Sequence, residues 1–140
     1  MYGALNVSTS GLVAQRTNLD IIAGNIAMKD ASRRDGFGNA VPYRRRVALL
    51  APGVPSASGD KPGVHVARVV EDPSPLGWRW DPGHPDAMRE GKHKGYVQVS
   101  NVDYHTEMVN AMVAARAYEA NATVLEMSKS MASTTLRLIA

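Results

Sequence analysis

The chain has 140 residues, 44% of them hydrophobic and 21% charged, with a formal net charge of +3 and a pI near 9.4. That length and balance suit one ordinary folded domain rather than a disordered tail, and the charge is too mild and too scattered for a typical nucleic-acid binder. With no Cys there is no disulfide, thiolate metal site or Cys nucleophile, and no run reaches the roughly 20 apolar residues that span a bilayer.

From about Gly3 to Lys29, Leu5, Leu12, Leu19 and Ile26 recur every seven residues with Ile22 on the same face, the spacing of one helical stripe. Ser8 and Gln15 hold the other flank, so the stripe is narrow and partly polar. Gly11 and Gly24 each cost about 1 kcal/mol relative to Ala, which leaves this helix marginal alone in water. Gly11, Asn18 and Asn25 form a polar ladder beside the leucines. Asn25 reads either as a buried residue fixing register between helices or as a solvated edge. No basic segment precedes an unbroken apolar run here, so a cleaved secretory signal is not expected.

The middle, about Asp30 to Val102, holds all eight Pro and most of the Gly. Pro42–Leu50, Val64–Val70 and Gly95–Val99 read as strands. Pro52-Gly53, Gly59-Asp60, Asp72-Pro73 and Pro82-Gly83 read as turns between them. Arg44-Arg45-Arg46 reads as a solvated strand face, or else as a contact for an acidic neighbour, anionic lipid or nucleic acid. Asp81, His84 and Asp86 stand among three turn-formers, which suits a rigid surface loop better than acid–base chemistry. His65, His84, His93 and His105 lack the i, i+4 spacing of a metal pair. No metal, cofactor or catalytic residue is assigned.

The last segment, about Asp103 to Ile139, repeats Ala111, Tyr118, Leu125, Ala132 and Ile139 at seven. Met108, Ala115, Ala122 and Leu136 take the complementary position, broken by Lys129. This predicts one long helix with Asp103 as N-cap and Glu107 in the favourable first turn. Thirty-seven helical residues run roughly 55 Å, whereas a compact chain of this length is under about 40 Å across. The helix therefore cannot be wrapped by its own chain, and both stripes are expected to find partners in other subunits. The alternative is an intramolecular antiparallel hairpin of the two helices capped by the β module.

Ser10–Arg16 followed by Leu19–Ala27 resembles the N-terminal motif of flagellar rod and hook proteins. Val69–Pro75 with Asp81–Asp86 is similar to the middle of the FlgC family among them. Gly95–Val97, Asn101–Asp103, Glu107–Val109 and Ala115–Asn121 match the start of that family's C-terminal helix. The chain departs from the pattern at Met28, at Ser100 and in a longer, more basic Met88–Lys94.

The resemblance implies an α+β fold in which two long terminal helices pair as a coiled-coil-like layer, flanking a small β-rich central module. The corresponding segments are 1–29, 30–102 and 103–140. It implies a structural, non-enzymatic subunit of the proximal rod, the periplasm-spanning drive shaft of the basal body. The expected partners are other rod proteins, copies of itself and the flagellar type III export apparatus, with no nucleic acid and no membrane insertion. The termini would be loose in the monomer and order on assembly. The expected interface comprises Leu5, Leu12, Leu19, Ile22, Asn25, Ile26, Met108, Ala111, Ala115, Tyr118, Ala122, Leu125, Ala132, Leu136 and Ile139. From another class, a basic adaptor acting through Arg44–Arg46 remains the runner-up, and a hydrolase centred on Asp81, His84 and Asp86 a distant third.

Overall fold

The structure is a computed structural model and describes residues 2–36, 38–54 and 61–139. Helix α1 (Tyr2–Met28) leads into strands β1 (Ser32–Arg34), β2 (Ala40–Pro42), β3 (Arg46–Val54), β4 (Lys61–Glu71), β5 (Gly77–Trp80) and β6 (Tyr96–Val99), and helix α2 (Tyr104–Ile139) closes the chain. The fold is α+β, with terminal helices flanking three two-stranded antiparallel ribbons, β1–β2, β3–β4 and β5–β6. The expected Gly59-Asp60 turn lies outside the described residues, as does the side chain of Ile139.

Helix α2 starts where its cap predicts. Asp103 Oδ2 accepts from the Thr106 amide at 3.3 Å and from Thr106 Oγ1 at 2.6 Å, while the Asp103 carbonyl takes the Glu107 amide at 3.0 Å. These bonds, led by the Thr106 hydroxyl, hold the Asp103 carboxyl below its ordinary pKa.

The two helices lie antiparallel against each other. Asn25 bonds Glu107, and Gly11 lies against Asn121; in both pairs the residue numbers total 132. A Cβ on Gly11 would stand 2.9 Å from Asn121 Nδ2, so this glycine, a cost to the isolated helix, is what lets the helices close. Ala14 and Ala114, both buried, serve the same approach. The expectation that both stripes turn to other subunits thus fails for the facing sides, which meet within one chain. The register has a limit, however. Continued at that register, the first residue of α1 comes level with Ser130, so 131–139 would project past it by roughly 13 Å at 1.5 Å per residue.

Ribbon β3–β4 lies along α1. The Val64 amide donates to Ser10 Oγ at 3.0 Å near one end, and Arg46 joins Asn25 at the other. The spans agree: Ser10 to Asn25 rises about 22 Å in a helix, and Arg46 to Pro52 covers about 20 Å in a strand. Leu49 pairs Arg68 and Leu50 pairs Val66, which leaves Ala67 as the extra residue of a β-bulge. The predicted strand over Pro42–Leu50 is corrected: residues 43–45 form a connection, and β3 begins only at Arg46.

Apolar burial is thin. Only Ala14, Ile22, Val97, Val102 and Ala114 are buried hydrophobics among the described residues. The two largest fully buried side chains, Asn25 and Glu107, are polar.

Candidate assembly interface

Where α1, α2 and β3 meet, Asn25 is 1% exposed and uses its whole amide. Its Nδ2 donates to the Arg46 carbonyl at 2.8 Å and to Glu107 Oε2 at 2.9 Å. Its Oδ1 accepts from the Arg46 amide at 2.9 Å and the Tyr43 hydroxyl at 3.0 Å. Four bonds exhaust what a primary amide offers, so burial leaves nothing unsatisfied. Glu107, 0% exposed, takes Arg45 Nε on Oε1 at 2.8 Å. Arg45 continues to Asp72 Oδ2 at 3.3 Å, and its amide donates to Asn101 Oδ1 at 2.8 Å. Burial acts to lower the Arg45 pKa, but the bonds and charges of Glu107 and then Asp72 outweigh it and hold the guanidinium above its ordinary value. Ser74, donating through its hydroxyl and amide, and then Arg45 hold the Asp72 carboxyl below its own.

This node clamps the β module to the helix pair. It corrects the reading of Arg44–Arg46 as a solvated strand face. Arg44 donates to the Asp72 and Ser74 carbonyls, Arg45 is consumed by two carboxylates, and Arg46 lies over the Tyr43 ring at 5.7 Å. The adaptor reading, which needs these cations facing outward, has no support here. Asn25 does reach across to the second helix, and it does so inside one chain. Sequence reasoning missed Glu107, Arg45, Asp72 and Asn101 as a set, because their separations along the chain carry no periodic signal. The one available hint is a Glu in the first turn of α2 four residues after the cap, on the buried rather than the wet side.

The expected interface residues divide by position. Ile22 and Asn25 are buried, while Leu5, Leu12, Leu19, Ile26, Ala111, Ala115, Ala122, Leu125 and Ala132 are half-buried. Met108, Tyr118 and Leu136 are exposed. A second apolar stripe, not recognised in the sequence, runs along the other side of α2. Val109, Val113, Val124, Met127, Met131 and Leu138 follow helical steps of three, four, seven and eleven, each close to whole turns, and stay between 49% (Val124) and 83% (Leu138) exposed. On α1, Val13 and Val7 are likewise exposed. A soluble monomer rarely leaves so many large apolar side chains exposed along one helix face.

The loop around Asp81, His84 and Asp86 is braced rather than poised for chemistry. Asp86 takes Ser32 Oγ at 2.6 Å and Arg34 at 3.1 Å, His84 Nδ1 accepts the Asp86 amide at 3.1 Å, and Asp81 faces Arg79 at 3.8 Å. Among the described residues no group of three His, Asp or Glu is arranged to hold a metal ion, and no helix is long and apolar enough to cross a membrane.

Residues 93–138 match the family described as flagellar basal body rod FlgEFG protein, C-terminal. Over nearly its whole length the chain is similar to the flagellar basal-body rod protein FlgC of Borreliella burgdorferi, at 40% identity covering 99% of this chain and 97% of the relative. It is 39% identical to the FlgC protein of Bacillus subtilis over 93% of this chain and 92% of that one. The FlgC protein of an Escherichia coli O6:H1 strain is also 39% identical, over 99% and 97%.

Proposed function

This chain belongs to the FlgC family of flagellar basal-body rod proteins, and from that premise we propose that it is a structural subunit of the rod that assembles through the uncovered sides of its helix pair. The helical segments 1–29 and 103–140 form the packing layer and 30–102 the module beside it. The neighbours are other rod proteins and copies of itself, reached after export by the flagellar type III apparatus, and the location is the periplasmic rod. Met108, Tyr118 and Leu136 contribute together with the outer stripe of α2, and the half-buried residues of the facing stripes supply the rigid backing.

The carrying observation is the amount of apolar helix left in water. The chain exposes 9932 Å², whereas a compact monomer of its 15.0 kDa exposes about 7,000 Å². The excess, roughly 2,900 Å² of polar and apolar surface together, is more than the roughly 800 Å² that one partner contributes to a standard interface. At about 1 kcal/mol for the surface each of six stripe residues still exposes, covering them returns on the order of 6 kcal/mol. No chemistry is needed for such a part: a shaft transmits torque through packing.

Replacing Met127 and Met131 together by Asp tests this reading. Both are exposed in the monomer, so the circular dichroism should be kept and urea unfolding should change by no more than about 1 kcal/mol for the two substitutions together. In a cell lacking its own copy, the variant should fail to enter the rod, and swimming should be lost. Normal rod incorporation and motility would refute the assignment of this face.

A further inference from the structure

The β5–β6 ribbon carries a second surface, separate from the helix layer; it packs on β2 and, among the described residues, on neither helix. The only two Trp of the chain stand here, two residues apart on one face of β5, with Tyr96 directly across from Trp80. His93 stacks on Trp78 at 4.2 Å with the rings 4° from parallel, and Tyr96 meets Trp80 edge-on at 5.0 Å. Gly95, at φ +79°, completes the arrangement: a Cβ there would come within 2.5 Å of the Trp80 ring, so only glycine admits the indole. The cluster is therefore held in a definite geometry. Yet Trp80 stays 61% and Trp78 39% exposed, so the largest apolar side chains of the molecule return little of their burial energy in the monomer.

The exposed charge beside the cluster is mostly positive. Arg89, Lys92 and Lys94 are exposed and make no ion pair among the described residues, against Glu90 as the one acid of 88–95. The nearby acids are engaged, Asp81 with Arg79 and Asp86 with Arg34 and Ser32. Beside Trp80 a hollow of about 530 Å³ opens, walled by His84, Pro85 and Met88 with Arg89 and Lys94 at its edge.

We propose that this face docks an acidic segment of a partner protein, with an apolar or proline side chain resting in the hollow against Trp80 and carboxylates meeting Arg89, Lys92 and Lys94. Trp, Tyr, Met and Arg around a pocket, rimmed by charge, is the composition of protein-interface anchors. Single-stranded nucleic acid fits less well. His93 already occupies one face of Trp78, Gly95 backs Trp80, and an excess of two positive charges neutralises few phosphates. The basic length of Met88–Lys94, which the helix layer does not use, acquires a role as the electrostatic half of this site.

Because both Trp lie in the patch, fluorescence excited selectively at tryptophan, beyond the absorption of the five Tyr, reports on it alone. The titrant is a synthetic peptide of repeated Glu-Glu-Pro-Leu blocks, with a Lys-Lys-Pro-Leu peptide and oligothymidine as comparisons. A saturable spectral shift with the acidic peptide is expected, weakened about tenfold or more, or 1.4 kcal/mol, in Arg89→Glu/Lys94→Glu. Trp80→Ala, followed through Trp78, should lose binding to the same degree. The charge-reversed variant changes only exposed side chains, so its far-ultraviolet circular dichroism should match the parent. No saturable shift, an equal response to the basic peptide, or tighter binding of oligothymidine would overturn the proposal. Among the described residues ribbon β5–β6 packs on neither helix, so these outcomes are independent of the Met127/Met131 experiment.

Discussion

Replacing Asn25 by Asp tests the buried node with almost no change in shape. The substitution exchanges Nδ2, which donates to Glu107 Oε2 at 2.9 Å and to the Arg46 carbonyl at 2.8 Å, for a carboxylate oxygen. Two like charges at that distance repel by roughly 6 kcal/mol at an effective dielectric of 20. The new group has a cheaper course, which is to remain protonated. Holding a carboxyl with a reference pKa near 3.9 neutral at pH 7 costs about 4 kcal/mol, and that sets the ceiling on the electrostatic loss. The donor bond that a protonated acid cannot replace adds about 1 kcal/mol. The variant should therefore lose about 4–5 kcal/mol at pH 7. The sign of its pH dependence follows. Its folded-state pKa is raised, so the folded state binds more protons than the unfolded one, and stability returns as pH falls from 7 toward 4. Asn25→Ala, which removes the amide without adding a charge, should lose about 3–5 kcal/mol with little dependence on pH. Urea unfolding followed by circular dichroism at several pH values separates the two. An Asp variant that loses under about 1 kcal/mol, or loses the same amount at pH 5 and pH 7, would show that Asn25 is not the buried junction described.

Two further outcomes follow. The Asp72 and Asp103 carboxyls are held below their ordinary pKa, so the folded state binds fewer protons than the unfolded one, and the stability they contribute is complete above the unfolded pKa and is lost as pH falls through the folded values. The urea midpoint of the parent chain should hardly move from pH 7 to 5 and fall below about pH 4; Asp103→Asn, which keeps a cap but cannot titrate, should shallow that fall, and an unchanged slope would contradict the Asp103 contribution. Amide exchange on the dilute monomer should be slow across the part of α2 that faces α1 and fast over 131–139, with the fast segment becoming protected in assembled rods; uniform protection along 104–139 in the monomer would contradict the antiparallel register.

Periodicity alone determined the two helices, because a heptad repeat is a local property: Leu5 to Ile26 and Ala111 to Ala132 name a face without reference to any other part of the chain. Asp103 was legible for the same reason, since a cap and the amides it serves lie within four residues. The motifs in order along the chain carried the family, and the family carried the structural role.

Which face of α2 meets which partner was decided only by tertiary structure. Small residues such as Gly11, Ala14 and Ala114 let the helices close on each other, which left Val109, Met127 and Leu138 outward. Their spacings, like those of the inner stripe, fall close to whole helical turns, so periodicity could not rank the two. The Arg45–Glu107–Asn25 node was equally out of reach. A run of three arginines looks solvated because charges ordinarily pay too much desolvation to be buried, and only long-range contacts bring Glu107 and Asp72 to Arg45. Local chemistry is written in neighbouring residues, whereas the burial of a charge depends on groups the chain supplies from far away.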